Sequence, residues 1–398
     1  MKEAPVILPG STIGVLGGGQ LGRMIALAGR AMGYRFITLD PTPDCPCAQV
    51  SDAQIVAAYD DQEAARRLAE RSDLITYEFE NVDAFVAAML SECSYVPQGS
   101  ALLYTTQHRL REKKALQDAG VPVAPYRAIT DRDSMQSAMG EIGLPAVLKT
   151  CSGGYDGKGQ RVIRDRDEAI QAYEQLAGSG QELVLEQWIP FDKELSVIAA
   201  RTPSGAVRTF PPAENVHVEN ILHLSIVPAR ISREIAEKAE ALAVRIAQSL
   251  NVVGLIAVEM FLTADGQLYV NELAPRPHNS GHYTMDACAT SQFEQHVRAV
   301  CHLPLGSTRL LSPVVMVNIL GQHVPFVLQG MKKGLFQAEG LEFKIHLYGK
   351  KEAKPQRKMG HINILTDDVE TALEWVRTAP VWRDIYGSNN GSGGLKHD

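Results

Sequence analysis

Long apolar runs are missing from this sequence: no stretch of the 398 residues approaches the roughly 20 consecutive apolar positions that a membrane span needs. The segment 1–11 has no basic stretch leading into a long apolar one, so no export signal is expected. Basic runs are missing as well. Lys plus Arg number 39 and Asp plus Glu 46, a formal charge of −7, which speaks against a nucleic-acid partner. An anionic substrate must then be held by a few local cations, not by the field of the whole chain. Cysteine is scarce, with six residues, too few for a disulfide scaffold at this length. Cys45-Pro-Cys47 has no second Cys or His pair beside it, so the cysteines read as free or buried thiols in a reducing, cytoplasmic compartment. What is present, 45% hydrophobic and 21% charged residues, is ordinary for a folded protein with a sizeable core. At about 100–200 residues per domain, the length predicts two or three domains.

The chain opens with strand–helix alternation. Strands are expected at 12–16, 34–39 and 74–77, and helices at 21–32 and 62–71, which predicts a doubly wound parallel sheet over residues 1–107. A helix at 110–119 stops at Gly120. From Pro145 the pattern changes to apolar strands (146–149, 183–187, 195–199) around a glycine-rich loop. A long helix at 233–249 and a hairpin within 255–273 complete a unit spanning 108–302, with a lid subdomain at about 122–200. Residues 303–386 hold further strands and a helix at 369–378, a small β-rich domain. The Gly/Ser/Asn-rich tail 387–398 is expected to be disordered.

Gly17-Gly18-Gly19-Gln20-Leu21-Gly22 fits the dinucleotide-binding pattern, and Asp40 lies where such folds keep a ribose-binding acid. A dehydrogenase is therefore one reading. The physics says only that backbone N–H groups at a helix start are available to an anion, and a substrate phosphate serves as well.

A second loop, Gly153-Gly154-Tyr155-Asp156-Gly157-Lys158-Gly159-Gln160, has four glycines in seven positions. It can lie close over phosphates and close as a lid. It is not a Walker A loop, because the Gly-Lys-Ser/Thr ending is absent. Lys149 ends the preceding strand, placed to neutralise a phosphate as a point charge, and Arg109 offers a second cation. Glu186-Gln187-Trp188-Ile189-Pro190 follows an apolar strand and suits a hinge whose peptide groups read an adenine edge, with Glu194 able to accept from ribose hydroxyls.

Asp265-Gly266 between two apolar runs favours a two-residue type I′ turn, with Ala264 opposite Gln267. In that register Glu259 and Glu272 face each other, with Cβ atoms about 5 Å apart. Two like charges there call for a cation between them, and oxygen-only ligands suit Mg²⁺. Next comes a dense polar stretch, Arg276-Pro277-His278-Asn279-Ser280-Gly281-His282. Further on, Lys350, Lys351, Lys354, Arg357 and Lys358 form a local basic patch suited to a substrate phosphate.

These parts in this order resemble the ATP-grasp superfamily and, within it, the N5-carboxyaminoimidazole ribonucleotide synthetase family of bacterial and fungal purine biosynthesis. The carrying motifs are Gly17 to Gly22, Thr76-Tyr77-Glu78-Phe79-Glu80-Asn81, the 153–160 loop, the 271–282 stretch, and Lys350 with Arg357. The resemblance implies a mixed α/β and α+β ATP-grasp fold with a doubly wound N-terminal sheet and a β-rich C-terminal domain. It implies a cytoplasmic, homodimeric ligase that uses ATP and bicarbonate to carboxylate 5-aminoimidazole ribonucleotide, through carboxyphosphate. By carry-over, Arg109, Lys149, Gly154, Tyr155, Asp156, Gly157, Lys158, Gly159, Gln160, Glu186, Gln187, Trp188, Ile189, Glu194, His217, Asn271 and Glu272 contact ATP. Glu259 and Glu272 hold Mg²⁺. Gly19, Gln20, Leu21, Glu78, Tyr155, Arg276, His278, Asn279, Lys350 and Arg357 face the ribonucleotide. Arg276, Lys149, Asp156 and Lys158 carry the chemistry. Three alternatives stay open: another ATP-grasp ligase, such as the formate-dependent glycinamide ribonucleotide transformylase or a biotin carboxylase; the dehydrogenase; and an ATP-binding protein without turnover.

Overall fold

The structure is a computed structural model that describes residues 4–154, 158–178, 180 and 182–386. The expected disordered tail, 387–398, lies outside the described residues.

The first sheet is parallel. Strands β1 (Thr12–Leu16), β2 (Arg35–Leu39), β3 (Ala53–Ile55) and β4 (Leu74–Tyr77) are ordered β3-β2-β1-β4. Helices α1 (Gln20–Ala31), α2 (Gln62–Glu70), α3 (Ala84–Cys93) and α4 (Ala101–Thr106) join or follow them. Near-continuous apolar strands are what a sheet covered on both faces requires. Helix α5 (Arg109–Asp118) then leads to a second sheet, which is antiparallel. Its elements are β5 (Tyr126–Ile129), α6 (Arg132–Ile142), β6 (Ala146–Thr150), β7 (Gln160–Ile163), α7 (Arg166–Ala177) and β8 (Leu183–Gln187), with strand order β5-β8-β6-β7. Ala146, Leu148, Leu183 and Leu185 turn towards α6 and α7. The alternate positions Lys149 and Glu186 therefore share the opposite face.

The third sheet has nine strands. Strands β9 (Phe191–Arg201), β10 (Val207–Thr209), β11 (Ala213–Val218) and β12 (Ile221–Val227) precede α8 (Arg233–Ser249). The hairpin β13 (Gly254–Thr263) and β14 (Leu268–Ala274) follows, then the short α9 (Thr284–Ala287) and α10 (Gln292–Val300). Strand β15 (Val314–Leu320), α11 (Val324–Lys333), β16 (Leu341–Leu347), β17 (Lys358–Thr366), α12 (Val369–Thr378) and α13 (Arg383–Tyr386) finish the chain. The order β14-β13-β9-β11-β12-β15-β17-β16, with β10 beside β9, makes the C-terminal strands a continuation of the same sheet.

The β13–β14 hairpin departs from expectation in two ways that cancel. The turn has three residues, not two: Thr263 N donates to Gln267 O at 3.0 Å, Leu262 pairs with Leu268, and Gly266 sits at φ +82°. This is the left-handed position of a three-residue loop, which a glycine fills without steric cost. A bulge between Glu259/Met260 then inserts Asn271 and restores the pairing of Glu259 with Glu272. The consequence is decisive for the site. Leu268 and Val270 lie in the core beneath α8, and so does Leu273, while Ala274 lies on the other face. Without the extra residue, the period-two alternation would send Glu272 to the core side with Leu268 and Val270. Asn271 is what turns Glu272 to the face of Glu259.

Gly266→Ala is expected to lower the unfolding free energy by about 1–2 kcal/mol, the cost of a left-handed backbone in an L-residue. Its Cβ would meet only Ile235 Cδ1, at 3.5 Å, so no clash adds to that cost. Urea unfolding of the variant measures it, and an unchanged midpoint would contradict the left-handed turn.

Candidate active site

The first glycine loop is already occupied, by the protein's own carboxylates. Gly18 N donates to Asp40 Oδ2 at 2.8 Å, and Thr42 N donates to Asp40 Oδ1 at 2.8 Å. Gly19 N and Gly22 N both donate to the Glu78 carboxylate, at the start of α1 where a dinucleotide pyrophosphate would sit. A Cβ on Gly17 would lie 2.5 Å from Glu78 Cγ, so the loop closes over this side chain. The acid expected for a ribose and the space expected for a pyrophosphate are both taken, which removes the dehydrogenase reading. Burial pushes Glu78 up to about 7, opposed by the Gly22 and Gly19 N–H groups and by the charge of Lys350. Burial, and then the charge of Arg357, pushes Lys350 down to about 8. Gly19, Gln20 and Leu21 begin α1 beside Glu78. The N-terminal sheet and the basic C-terminal segment thus approach one another. Arg357 itself is exposed and donates to Glu352 O at 3.0 Å.

Helix α5 wedges between the second and third sheets and carries three ionisable side chains inward on one stripe. Arg109 Nη1 lies 3.3 Å from Glu272 Oε2. Glu112 Oε2 accepts from Leu273 N at 3.2 Å. Lys113 Nζ lies 3.1 Å from Glu186 Oε2, the atom that Lys149 Nζ contacts at 3.0 Å. Glu186 is buried, but Lys149, Lys113 and Arg109 outweigh burial and hold it down to about 2. Burial lowers Lys149, with Arg109 and Lys113 adding to the effect. Glu112 is pushed up to about 8 by burial and by Glu272. Glu112 and Lys113 were missed in the sequence. The signal was there, since positions three and four after Arg109 share its helix face.

The carboxylate pair behaves as expected, facing across the hairpin. Glu259 Oε1 lies 2.9 Å from His278 Nε2. Burial opposes its ionisation, but His278, His217 and Arg276 hold its pKa well below the usual carboxylate range. Asn271 Oδ1, on the bulge, is buried without a hydrogen-bond partner among the described residues. Arg276 grips Glu80 with both arms of its guanidinium, Nη2 to Oε1 at 2.7 Å. Burial would raise Glu80, yet Arg276 brings it down to about 2. Glu80 lies within the 76–81 motif, where sequence alone assigns it no partner.

His217 Nδ1 lies 3.1 Å from Glu194 Oε1; burial lowers the imidazole's pKa, but Glu194 and then Glu259 raise it on balance. In the hinge, Gln187 N donates to Pro125 O at 2.8 Å and Trp188 N to Pro145 O at 3.2 Å, and Ile189 is buried. Contact with an adenine from Gln187 or Trp188 must therefore come from their carbonyls or side chains. The ends of the lid are fixed: Thr150 N donates to Gly159 O at 2.8 Å, and Gln160 pairs with Lys149. A Cβ on Gly154 would sit 2.9 Å from Lys158 O and 3.5 Å from Arg109 Nη2, which places the lid root beside the cation on Glu272. Tyr155, Asp156 and Gly157 lie outside the described residues. Asn279, expected beside the ribonucleotide, lies in the turn after β14. It is buried, and its Nδ2 donates to Asn318 Oδ1 at 3.0 Å, with Asn318 donating back. Amide pairing beneath the sheet surface satisfies it internally.

Comparison with known proteins agrees with this geometry. Residues 10–107 match the ribonucleotide synthetase preATP-grasp domain, residues 114–293 the ATP-grasp domain, and residues 314–374 the phosphoribosylaminoimidazole carboxylase C-terminal domain. The chain is 53% identical over 372 residues to the N5-carboxyaminoimidazole ribonucleotide synthase of Bacillus subtilis, covering 94% of this chain and 95% of the other. It is 46% identical over 357 residues to that of Brucella melitensis, covering 89% and 96%. A crystal structure of an N5-carboxyaminoimidazole ribonucleotide synthetase in complex with ADP superposes with a TM-score of 0.92 at 55% identity, covering 96% of this chain and 99% of that one. The Aspergillus clavatus synthase in complex with ADP and 5-aminoimidazole ribonucleotide superposes with a TM-score of 0.86 at 32% identity, covering 95% and 99%. The chain belongs to the N5-carboxyaminoimidazole ribonucleotide synthase family of ATP-grasp ligases.

Proposed function

We propose that this site carboxylates 5-aminoimidazole ribonucleotide with bicarbonate at the expense of ATP, through carboxyphosphate, releasing N5-carboxyaminoimidazole ribonucleotide, ADP and phosphate. The observation that carries this reading is the facing pair Glu259 and Glu272, with Arg109 on one, His278 on the other and the root of the glycine lid beside Arg109.

The ATP side runs from the hinge to the pair. Glu186 to Ile189 border the adenine, and Glu194 with His217 the ribose. Lys149, Arg109 and the 154–160 lid border the phosphates, and Asn271 and Glu272 the terminal phosphate. The donor set fits Mg²⁺: two carboxylates and the unpartnered Asn271 Oδ1 are all oxygens. Among the described residues no cluster of three or more His, Cys, Asp or Glu is arranged to hold a metal alone, so nucleotide phosphate oxygens must complete the set. When bound, Mg²⁺ supplies charge neutralisation at the phosphates. Phosphoryl transfer asks the protein for positioning and fixed charge more than for covalent chemistry. Lys149 and Arg276 supply that charge, and Tyr155, Asp156, Lys158 and His278 hold carboxyphosphate or the acceptor. The lid excludes water from an intermediate that water would destroy. On the acceptor side, Gly19, Gln20, Leu21 and Glu78 meet Lys350 and Arg357, which take the ribonucleotide phosphate.

The working division into residues 1–107, 108–302 and 303–386, with the lid within about 122–200, follows the same reading. So does a cytoplasmic homodimer. Six free cysteines suit a reducing compartment, and among the described residues no helix is long and apolar enough to cross a membrane.

Phosphate release from ATP is expected only when bicarbonate and 5-aminoimidazole ribonucleotide are both present. Release driven instead by formate and glycinamide ribonucleotide would move the assignment to the transformylase. Glu272→Gln should keep the fold, read by circular dichroism, while turnover falls by about 10²-fold or more; full activity in that variant would end the metal role. Arg357→Ala should raise KM for the ribonucleotide and leave KM for ATP nearly unchanged, and the opposite pattern would refute the phosphate clamp.

A further inference from the structure

Glu186 is served by more cations than an ion pair needs. Lys149 Nζ donates to its Oε2 at 3.0 Å, and Lys113 Nζ lies 3.1 Å from the same atom. The two contacts differ in kind. Lys149 is aligned as a hydrogen bond, whereas the Lys113 ammonium has no aligned partner among the described residues. Glu186 Oε1 has none either. Lys113 and Glu186 are 1% and 3% exposed, so neither side chain is open to bulk solvent. Their settings differ too. Lys149 stands on a strand end next to the lid. Lys113 is enclosed on α5, its ammonium 5.9 Å from the centre of the Tyr126 ring, on a helix tied by Arg109 to Glu272 and by Glu112 to Leu273 N.

A buried carboxylate whose only cation departs is strongly destabilising. If Lys149 were the sole partner, its reach for a phosphate would strand Glu186. We propose that Lys113 is the resident counter-ion of Glu186, so that Lys149 can exchange that carboxylate for a nucleotide phosphate. Lys113 then touches no substrate and acts as a positioning residue, through Glu186 and Lys149. The inference rests on the nucleotide site proposed above.

A double-mutant cycle on Mg-ADP affinity, measured by titration calorimetry, tests it. Lys113→Met should weaken ADP binding by about tenfold or more. It should also raise KM for ATP without changing KM for the ribonucleotide. In a Glu186→Gln background, where no buried charge can be stranded, the same substitution should change affinity by less than about twofold. Should Lys113→Met not fold alone, Glu186→Gln against the double variant carries the test, and equal affinity supports the counter-ion role. Equal weakening in both backgrounds, or no weakening in either, overturns it. A parent protein that binds no Mg-ADP would instead overturn the nucleotide site itself.

Discussion

Two carboxylates held face to face on one side of a hairpin are the constraint on which the rest of the site depends. Like charges that close destabilise a sheet unless something positive answers them. Here the answers come from outside the hairpin: Arg109 from α5 to Glu272, and His278 from the loop after β14 to Glu259. Both require the third sheet to meet its neighbours at fixed positions. The pair exists only because Asn271 bulges out of β14, since a regular strand would bury Glu272 against the core under α8. A single inserted residue thus converts a plain amphipathic hairpin into a pair of facing carboxylates, and the same residue's amide oxygen is buried without a partner among the described residues.

Much of this was legible because apolar periodicity and glycine placement are local properties. Strands β1, β2 and β4 of the first sheet, α8, α12 and the facing of Glu259 and Glu272 followed from them, while the three-residue edge strand β3 was too short to show a pattern. The hairpin shows how far such reading goes. A two-residue turn gave the right pairing for the wrong reason, because the three-residue turn and the bulge each shift the register by one. The switch of apolar positions from Leu268 and Val270 to Leu273 was the visible trace of the bulge. What stayed hidden depends on tertiary meetings. Nothing near Glu80 in sequence announces Arg276, and nothing near Asn279 announces Asn318, because each partner arrives from another element.

The glycine loop after β1 shows why one motif supports opposite readings. Its backbone donors are real and aimed at an anion, but the anion is Glu78, from the end of the next strand in the sheet. A helix start is indifferent to the source of the negative charge it receives. Burying Glu78 there raises its pKa while drawing it into the field of Lys350. The loop therefore links the N-terminal sheet to the basic C-terminal segment through charge.

Helix α5 supplies the corresponding link on the nucleotide side. Arg109, Glu112 and Lys113 fall three and four positions apart, so one turn of helix reaches Glu272 and Leu273 on the third sheet and Glu186 on the second. A rigid helix cannot shift one of these contacts without shifting the others, which keeps the hinge end and the carboxylate end at a fixed separation. Three cations of the site already rest on carboxylates: Lys149 on Glu186, Arg109 on Glu272, Arg276 on Glu80. On the function proposed above, a phosphate arriving among them would exchange one anionic oxygen for another, instead of stripping water from bare ammonium and guanidinium groups. Donors fixed in advance and turned towards the charge to come are the form of stabilisation that needs the least rearrangement during phosphoryl transfer. The carboxylates that look like competitors for the substrate are, on this argument, what keeps its binding groups aligned before it arrives.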